Sequence, residues 1–218
     1  MPPGKVAMHS FLGFRRRSFT VAMIPFLLLL AGCLISERDE YSIHLNADGK
    51  SGTVTVVKRN IQSDQPDPAR QQADFEELVR DWQGDEYLLD KTGQGVYVKD
   101  RRLDVEGGVL VWRETSLFSD FRKLFQEAIS GDSVRIVVGA DETVVRTNGD
   151  VVQTRDSTTI SWPPSTRDFG LTLQKRNFTA ASDFTAKFRL FMQQSKEHRR
   201  ERQQQNPDSS RDAMLQVR

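Results

Sequence analysis

The scarcest reactive groups in this chain are one thiol, Cys33, and, beyond residue 32, two imidazoles, His44 and His198. A lone cysteine forms no internal disulfide and no thiolate metal cage, but its thiolate is a nucleophile that can be alkylated. An imidazole acting as a base needs an orienting partner and a nucleophile in reach. His198 sits in the charged run Lys196–Arg202, and His44 alternates with Ile43 and Leu45, which turns it away from the side those two bury. Nothing in the sequence couples either ring to a nucleophile. The acids Asp74, Glu76, Glu77 and Asp81 invite comparison with a glycosidase pair. However, Glu77 and Asp81 share a helix face beside Arg80 and opposite Phe75, Leu78 and Trp82, which is the pattern of a solvated face.

Three short motifs fail on spacing. Gly49-Lys50-Ser51 resembles the end of a phosphate-binding loop, yet His44 stands where its first glycine belongs and a strand pattern follows instead of a helix. Asn46, Asp48 and Gly49 match part of a calcium loop, but Thr55 occupies the position of the bidentate acid. Asp168-Phe169-Gly170 matches the magnesium-binding tripeptide of kinases without the glycine-rich and His-Arg-Asp loops that accompany it. The sequence therefore predicts no catalytic residue, no metal site and no cofactor.

The thiol has a context of its own. Lys5 and Arg15-Arg16-Arg17 precede an apolar stretch from Phe19 to Gly32, after which come Cys33 and the charged run Glu37–Glu40. That stretch is 14 residues, short of the roughly 20 that span a bilayer as a helix. Basic, apolar and then small is the order of a secretory signal peptide. Leu30-Ala31-Gly32-Cys33 resembles the lipobox of bacterial lipoproteins. The resemblance implies cleavage between Gly32 and Cys33, a diacylglyceryl thioether on Cys33, and a membrane partner reached through that acylated residue. Leu34, in place of an aspartate, implies the periplasmic face of the outer membrane if the cell has two membranes. The segment Asn46-x-Asp48-Gly49-x-x-Gly52 is also similar to the opening hairpin of uncharacterised bacterial lipoprotein domains, a likeness that covers the first third of the domain and implies no activity.

Removing the four basic leader residues from the formal charge of +1 leaves −3 for residues 33–218, so no basic excess points to nucleic acid. We read residues 1–32 as the signal, 33–40 as a lipidated tether, 41–202 as one domain and 203–218 as a disordered tail rich in Gln, Ser and Pro. Tyr41, Ile43 and Leu45 alternate as in a strand, and a hairpin follows across Ala47–Gly52 into Thr53–Arg59. Asp67 and Pro68 start a helix whose stripe is Phe75, Leu78, Val79 and Trp82. Strands are predicted at Tyr87–Leu89 and Val96–Val98, and a hairpin turns across Glu106-Gly107-Gly108. A second helix is predicted over Leu117–Ile129, with Ser116 as cap and Phe118, Phe121, Leu124, Phe125 and Ala128 inward. Val134–Val138 is a strand, and Val144-Val145 pairs with Val151-Val152 around Asn148-Gly149. Thr158–Trp162 and Phe169–Leu173 are the last strands, and a third helix starts near Ser182 with Phe184, Phe188 and Phe191 on one face. The predicted class is α+β, a twisted antiparallel sheet with about three helices mainly on one face.

The favoured function is a membrane-anchored envelope module that binds or assembles without catalysis, its partner another envelope protein or a cell-wall polymer. Lys196, Arg199, Arg200 and Arg202 at the end of the third helix are the candidate contacts to anionic headgroups or that partner. One alternative is a carrier of an apolar ligand held between sheet and helices. Another is a hydrolase whose titratable groups converge in a cleft with displaced pKa values.

Overall fold

A computed structural model describes residues 34–124, 129–130, 133–155, 157–179 and 182–205. The lipobox Leu30-Ala31-Gly32-Cys33, the phenylalanine Phe125 and the chain beyond residue 205 lie outside the described residues. The opening hairpin pairs β1 (Leu34–Leu45) with β2 (Gly52–Ser63), running from Leu34↔Ser63 to Leu45↔Gly52. Asp48 closes its turn, accepting from the Lys50 amide at 2.8 Å and the Ser51 amide at 3.0 Å. Those bonds, led by the Lys50 amide, hold its carboxyl below the usual range. Gly52 ends the turn because a Cβ there would stand 2.1 Å from the His44 carbonyl oxygen and 2.6 Å from the Phe118 ring.

Two helices follow. In α1 (Pro68–Gln83), Asp67 accepts the Arg70 amide at 2.9 Å and proline opens the first turn. It is succeeded by α2 (Asp85–Gly93). The second hairpin joins β3 (Val96–Glu106) to β4 (Val109–Phe118) through Gly107 and Gly108, whose φ values of 60° and 87° fit the tight turn expected from the glycine pair. The chain continues as α3 (Phe121–Leu124), β5 (Ile129–Ser130), β6 (Ser133–Val138), β7 (Glu142–Thr147), β8 (Asp150–Gln153), β9 (Thr158–Trp162), β10 (Asp168–Lys175) and α4 (Phe184–Gln205).

These strands make a six-stranded sheet ordered β3-β4-β2-β1-β10-β7 and a four-stranded sheet ordered β5-β6-β9-β8, both antiparallel. The fold is α+β, as predicted. One face of the large sheet is covered by two different layers. Toward the Leu45 end the small sheet packs Ile160 and Trp162 onto Ile43, Phe169 and Leu171. Toward the Leu34 end, α1 and α4 pack Phe75, Leu78, Phe184 and Phe188 onto Ile61, Leu103, Leu110 and Trp112. The rings meet edge to face, Phe75 with Phe184 at 5.4 Å and Trp82 with Phe188 at 5.5 Å, so side chains occupy the space between these helices and the sheet.

Five local predictions are corrected. Leu34–Glu40 is no tether: it is the first half of β1, paired with β2 at every position but Glu37. Its charges mislead because they sit on an edge of the core where Asp39 finds Lys58 at 3.1 Å. Tyr87–Leu89 is helical, since α2 buries Lys91 and half-buries Tyr87 while Leu89 stays exposed. Leu117 and Phe118 close β4, with Phe118 opposite both Gly52 and Val96, and Ser116 is a buried strand residue instead of a cap; among the described residues the helix expected there is the single turn α3, with residues 125–128 outside them. Finally, β7 and β8 do not pair with each other. The former joins β10 and the latter β9, which makes Asn148-Gly149 the crossing between the two sheets. The tail predicted to be disordered over 203–218 is helical at residues 203–205, the last of α4, and its remainder lies outside the described residues.

Candidate site on the open face of the large sheet

Side chains alternate along each strand, so register fixes what the uncovered face displays. Ser42 lies between Thr55 on β2 and Gly170 on β10, while Glu40 lies between Val57 and Thr172, and Thr172 is opposite Arg146 on β7. Tyr41 and Ile43, the alternate residues, point into the core. On the β2–β4 side of this face, long charged side chains pair among themselves. Arg59 Nε donates to Glu40 at 2.8 Å, Arg59 Nη1 reaches Glu106 at 3.1 Å, and Arg113 Nη2 reaches Glu106 at 3.2 Å. The Arg113 bond holds the Glu106 carboxyl below its ordinary range, and the Glu40 bond raises Arg59. This ladder shields Val57 and Val111, which are buried although they belong to the uncovered face.

On the β1–β10–β7 side the residues are short. Ser42, Thr55, Gly170 and Thr172 form a floor between Glu40, itself paired with Arg59, and a rim of Arg146 and Asn148, lining a groove of about 520 Å³. Asn148 fixes that rim. Its Oδ1 accepts the Trp162 indole N–H at 2.9 Å and the Gly170 amide at 2.8 Å, and its Nδ2 donates to the Asp168 carbonyl at 2.7 Å. The next residue must be glycine, because a Cβ at Gly149 would lie 2.6 Å from Trp162 and 2.8 Å from Ile160. The positive φ expected for a hairpin plays no part here; close approach of the two sheets does.

A second set of displaced pKa values lies in a polar seam on the covered face. Burial, then Asp39, raises the Tyr41 phenol, and its hydroxyl donates to Asp39 at 3.0 Å. Burial, then Glu114, raises the Tyr87 phenol, which donates to Glu114 at 2.5 Å, and Ser116 donates to the same carboxylate at 2.9 Å. Burial lowers Lys91, with Glu114 opposing that shift. These groups satisfy one another inside the fold.

The structure scatters the residues singled out by sequence. His44 and Asp168, 124 residues apart, meet at the exposed end of β1 and β10 with Nδ1 and Oδ1 2.6 Å apart. Asp168 thus belongs to a strand, with Phe169 in the core and Gly170 in the groove floor. Asp74 leaves the acidic face assigned to it: it is buried and accepts the Ser63 hydroxyl. Asp81 is half-buried, and burial, then Glu77, pushes its carboxyl up to about 6. Lys196, Arg199, Arg200 and Arg202 are exposed on the distal half of α4. The spacing that puts Phe184, Phe188 and Met192 on the sheet leads next to Lys196, Arg199 and Arg202, so the stripe turns cationic once the helix outruns the core. Gly32 and Cys33 lie outside the described residues. Sequence reasoning missed Arg146, Asn148 and Thr172. Their alternation was readable, but their shared face depends on the β1–β10–β7 order.

Among the described residues there is no group of three or more His, Cys, Asp or Glu placed to hold a metal, and no helix is long and apolar enough to cross a membrane. Among protein-family models, curated proteins and solved structures, none matches this chain.

Proposed function

We propose that the chain is a lipid-anchored envelope module, moored through acylated Cys33 and acting by binding through the open face of its large sheet. The observation that carries this is the start of β1 at Leu34, directly after the lipobox cysteine, with Leu34 already opposite Ser63. An acyl group on Cys33 would then hold the domain against the bilayer with no tether between. Several acyl chains anchor almost permanently, because each buried methylene adds about 0.8 kcal/mol. The α1–α4 layer occupies that same end of the sheet, and Ser182, just before α4, accepts the Ser63 amide at 3.2 Å. With Cys33 acylated, the start of α4 would lie on the membrane side, and Lys196, Arg199, Arg200 and Arg202 on its exposed distal half are the cations offered to anionic headgroups. In a two-membrane cell the position would be the periplasmic face of the outer membrane. A binding role rather than hydrolysis is supported by the two buried phenols, Tyr41 and Tyr87, being engaged with Asp39 and Glu114 in the seam beneath the sheet rather than facing the groove.

The test is metabolic labelling with radioactive palmitate, followed by envelope fractionation. The wild type should carry label and pellet with membranes, and Cys33→Ser should lose the label and most of the membrane association. Residual binding of that variant to vesicles rich in anionic lipid should fall when the four α4 cations are replaced by glutamine. An unlabelled wild type, or a serine variant that fractionates unchanged, would sink the reading.

A further inference from the structure

We propose that the groove on the open sheet face binds a hydroxyl-rich ligand bearing an oxyanion, a sugar acid or a sugar phosphate. This goes beyond the anchoring role and holds whether or not Cys33 is acylated.

Three observations carry it. First, charge on the open face is unevenly spent. Arg59 and Arg113 are paired with Glu40 and Glu106, whereas Arg146 is exposed at the groove rim with no acidic partner among the described residues. A guanidinium left unpaired beside a concave surface suits a carboxylate or phosphate, which it can bind with two parallel hydrogen bonds. Second, the floor offers hydroxyls with capacity to spare. Ser42 and Thr172 make no side-chain hydrogen bond within the described residues, and Thr55 has a single long contact, 3.3 Å to Thr115. A hydroxyl both donates and accepts, which is what a polyol needs from its site. Third, Gly170 is unexplained by folding. Its φ is not in the left-handed region, and an added Cβ would meet only the Asn148 amide, Oδ1 at 3.7 Å and Cγ at 3.9 Å, which are ordinary contacts. What glycine supplies at that point is depth in the centre of the floor.

The experiment follows backbone amide shifts of the ¹⁵N-labelled full chain in detergent during titration with glucuronic acid, glucose 6-phosphate, glucose and inorganic phosphate. Both anionic sugars should move the amides of Arg146, Thr172 and Gly170. Glucose and inorganic phosphate should each bind at least about tenfold more weakly, since each lacks one of the two recognised features. The tighter anionic sugar identifies the group, carboxylate or phosphate. Arg146→Gln should erase the preference for anionic over neutral sugar, and Ser42→Gln, which fills the floor from an exposed position, should weaken every sugar. Gly170→Ala should weaken binding yet leave the unfolding midpoint unchanged or higher, an outcome that a purely structural glycine would not give. No shift with any sugar, inorganic phosphate binding as tightly as glucose 6-phosphate, or an Arg146→Gln protein that keeps its preference would overturn the proposal.

Discussion

Asn148 ties three backbone or side-chain groups from two sheets to one amide. Trp162 is nearly fully buried at 2% exposure, so its indole N–H has no ready substitute when that acceptor is removed. An unsatisfied buried donor costs about 1–3 kcal/mol. Asn148→Ala should therefore lower the stability of the protein by about 2 kcal/mol, read as a reduced urea midpoint. Unchanged stability would mean that the latch is dispensable. A second residue-scale prediction concerns Asp81, whose folded-state carboxyl titrates near 6 through burial and the neighbouring Glu77. An unfolded aspartate titrates at about 3.9, so the folded protein binds this proton more tightly. The resulting stability is fully present below about pH 4 and is lost as pH rises through about 6. Asp81→Asn should accordingly be more stable than the wild type at pH 7, with the difference closing by pH 4. Urea midpoints measured across that range check it, and a gap that fails to narrow on acidification counts against the assignment.

Among the elements, β1 matters most, because it lies in the middle of the large sheet and begins where the sequence suggested a linker. Charge density in Glu37-Arg38-Asp39-Glu40 reads as solvated chain. In the folded protein Ser36 and Tyr41 both donate to Asp39, Lys58 pairs with it, and Asn60, at φ 56°, donates to Glu37 at 2.7 Å. Replacing Leu34–Arg38 by an equally long Gly-Ser segment should cost at least about 3 kcal/mol, from glycine entropy and the lost packing of Leu34. Thermal denaturation and limited proteolysis of the full chain measure this, and tolerance of the replacement would restore the tether. The other reassigned elements fail for a related reason. Leu117 and Phe118 begin an apolar series with helical spacing, yet Phe118 fills the gap left by Gly52 and extends β4 to its full pairing. A short apolar run does not by itself distinguish helix from strand.

At the scale of the whole molecule, two cores share one sheet. The small sheet closes the Leu45 end, the helices close the Leu34 end, and the polar seam of Asp39, Lys58, Glu114 and Tyr87 runs between them on the covered face. Among the described residues this arrangement leaves one broad face open, and the two hairpins sort that face into a charge-paired half and a hydroxyl-lined half. On the function proposed above, the Leu34 end would face the bilayer and the open face would receive a ligand or partner.

Local chemistry was written in the sequence itself. Asp67-Pro68 starts α1, Gly107-Gly108 turns the second hairpin, Asp48 closes the first, and the phenylalanines of α4 mark a buried stripe, because caps, tight turns and periodicity act over a few residues. The α+β class followed from the same local signals. Tertiary structure alone decided that β7 and β8 part into different sheets, that Asn148 and Gly149 serve close packing, and that Ser42, Thr55, Arg146 and Thr172 share one groove. Strand order joins residues more than a hundred positions apart, and no local propensity encodes which of several compatible edges a strand will choose.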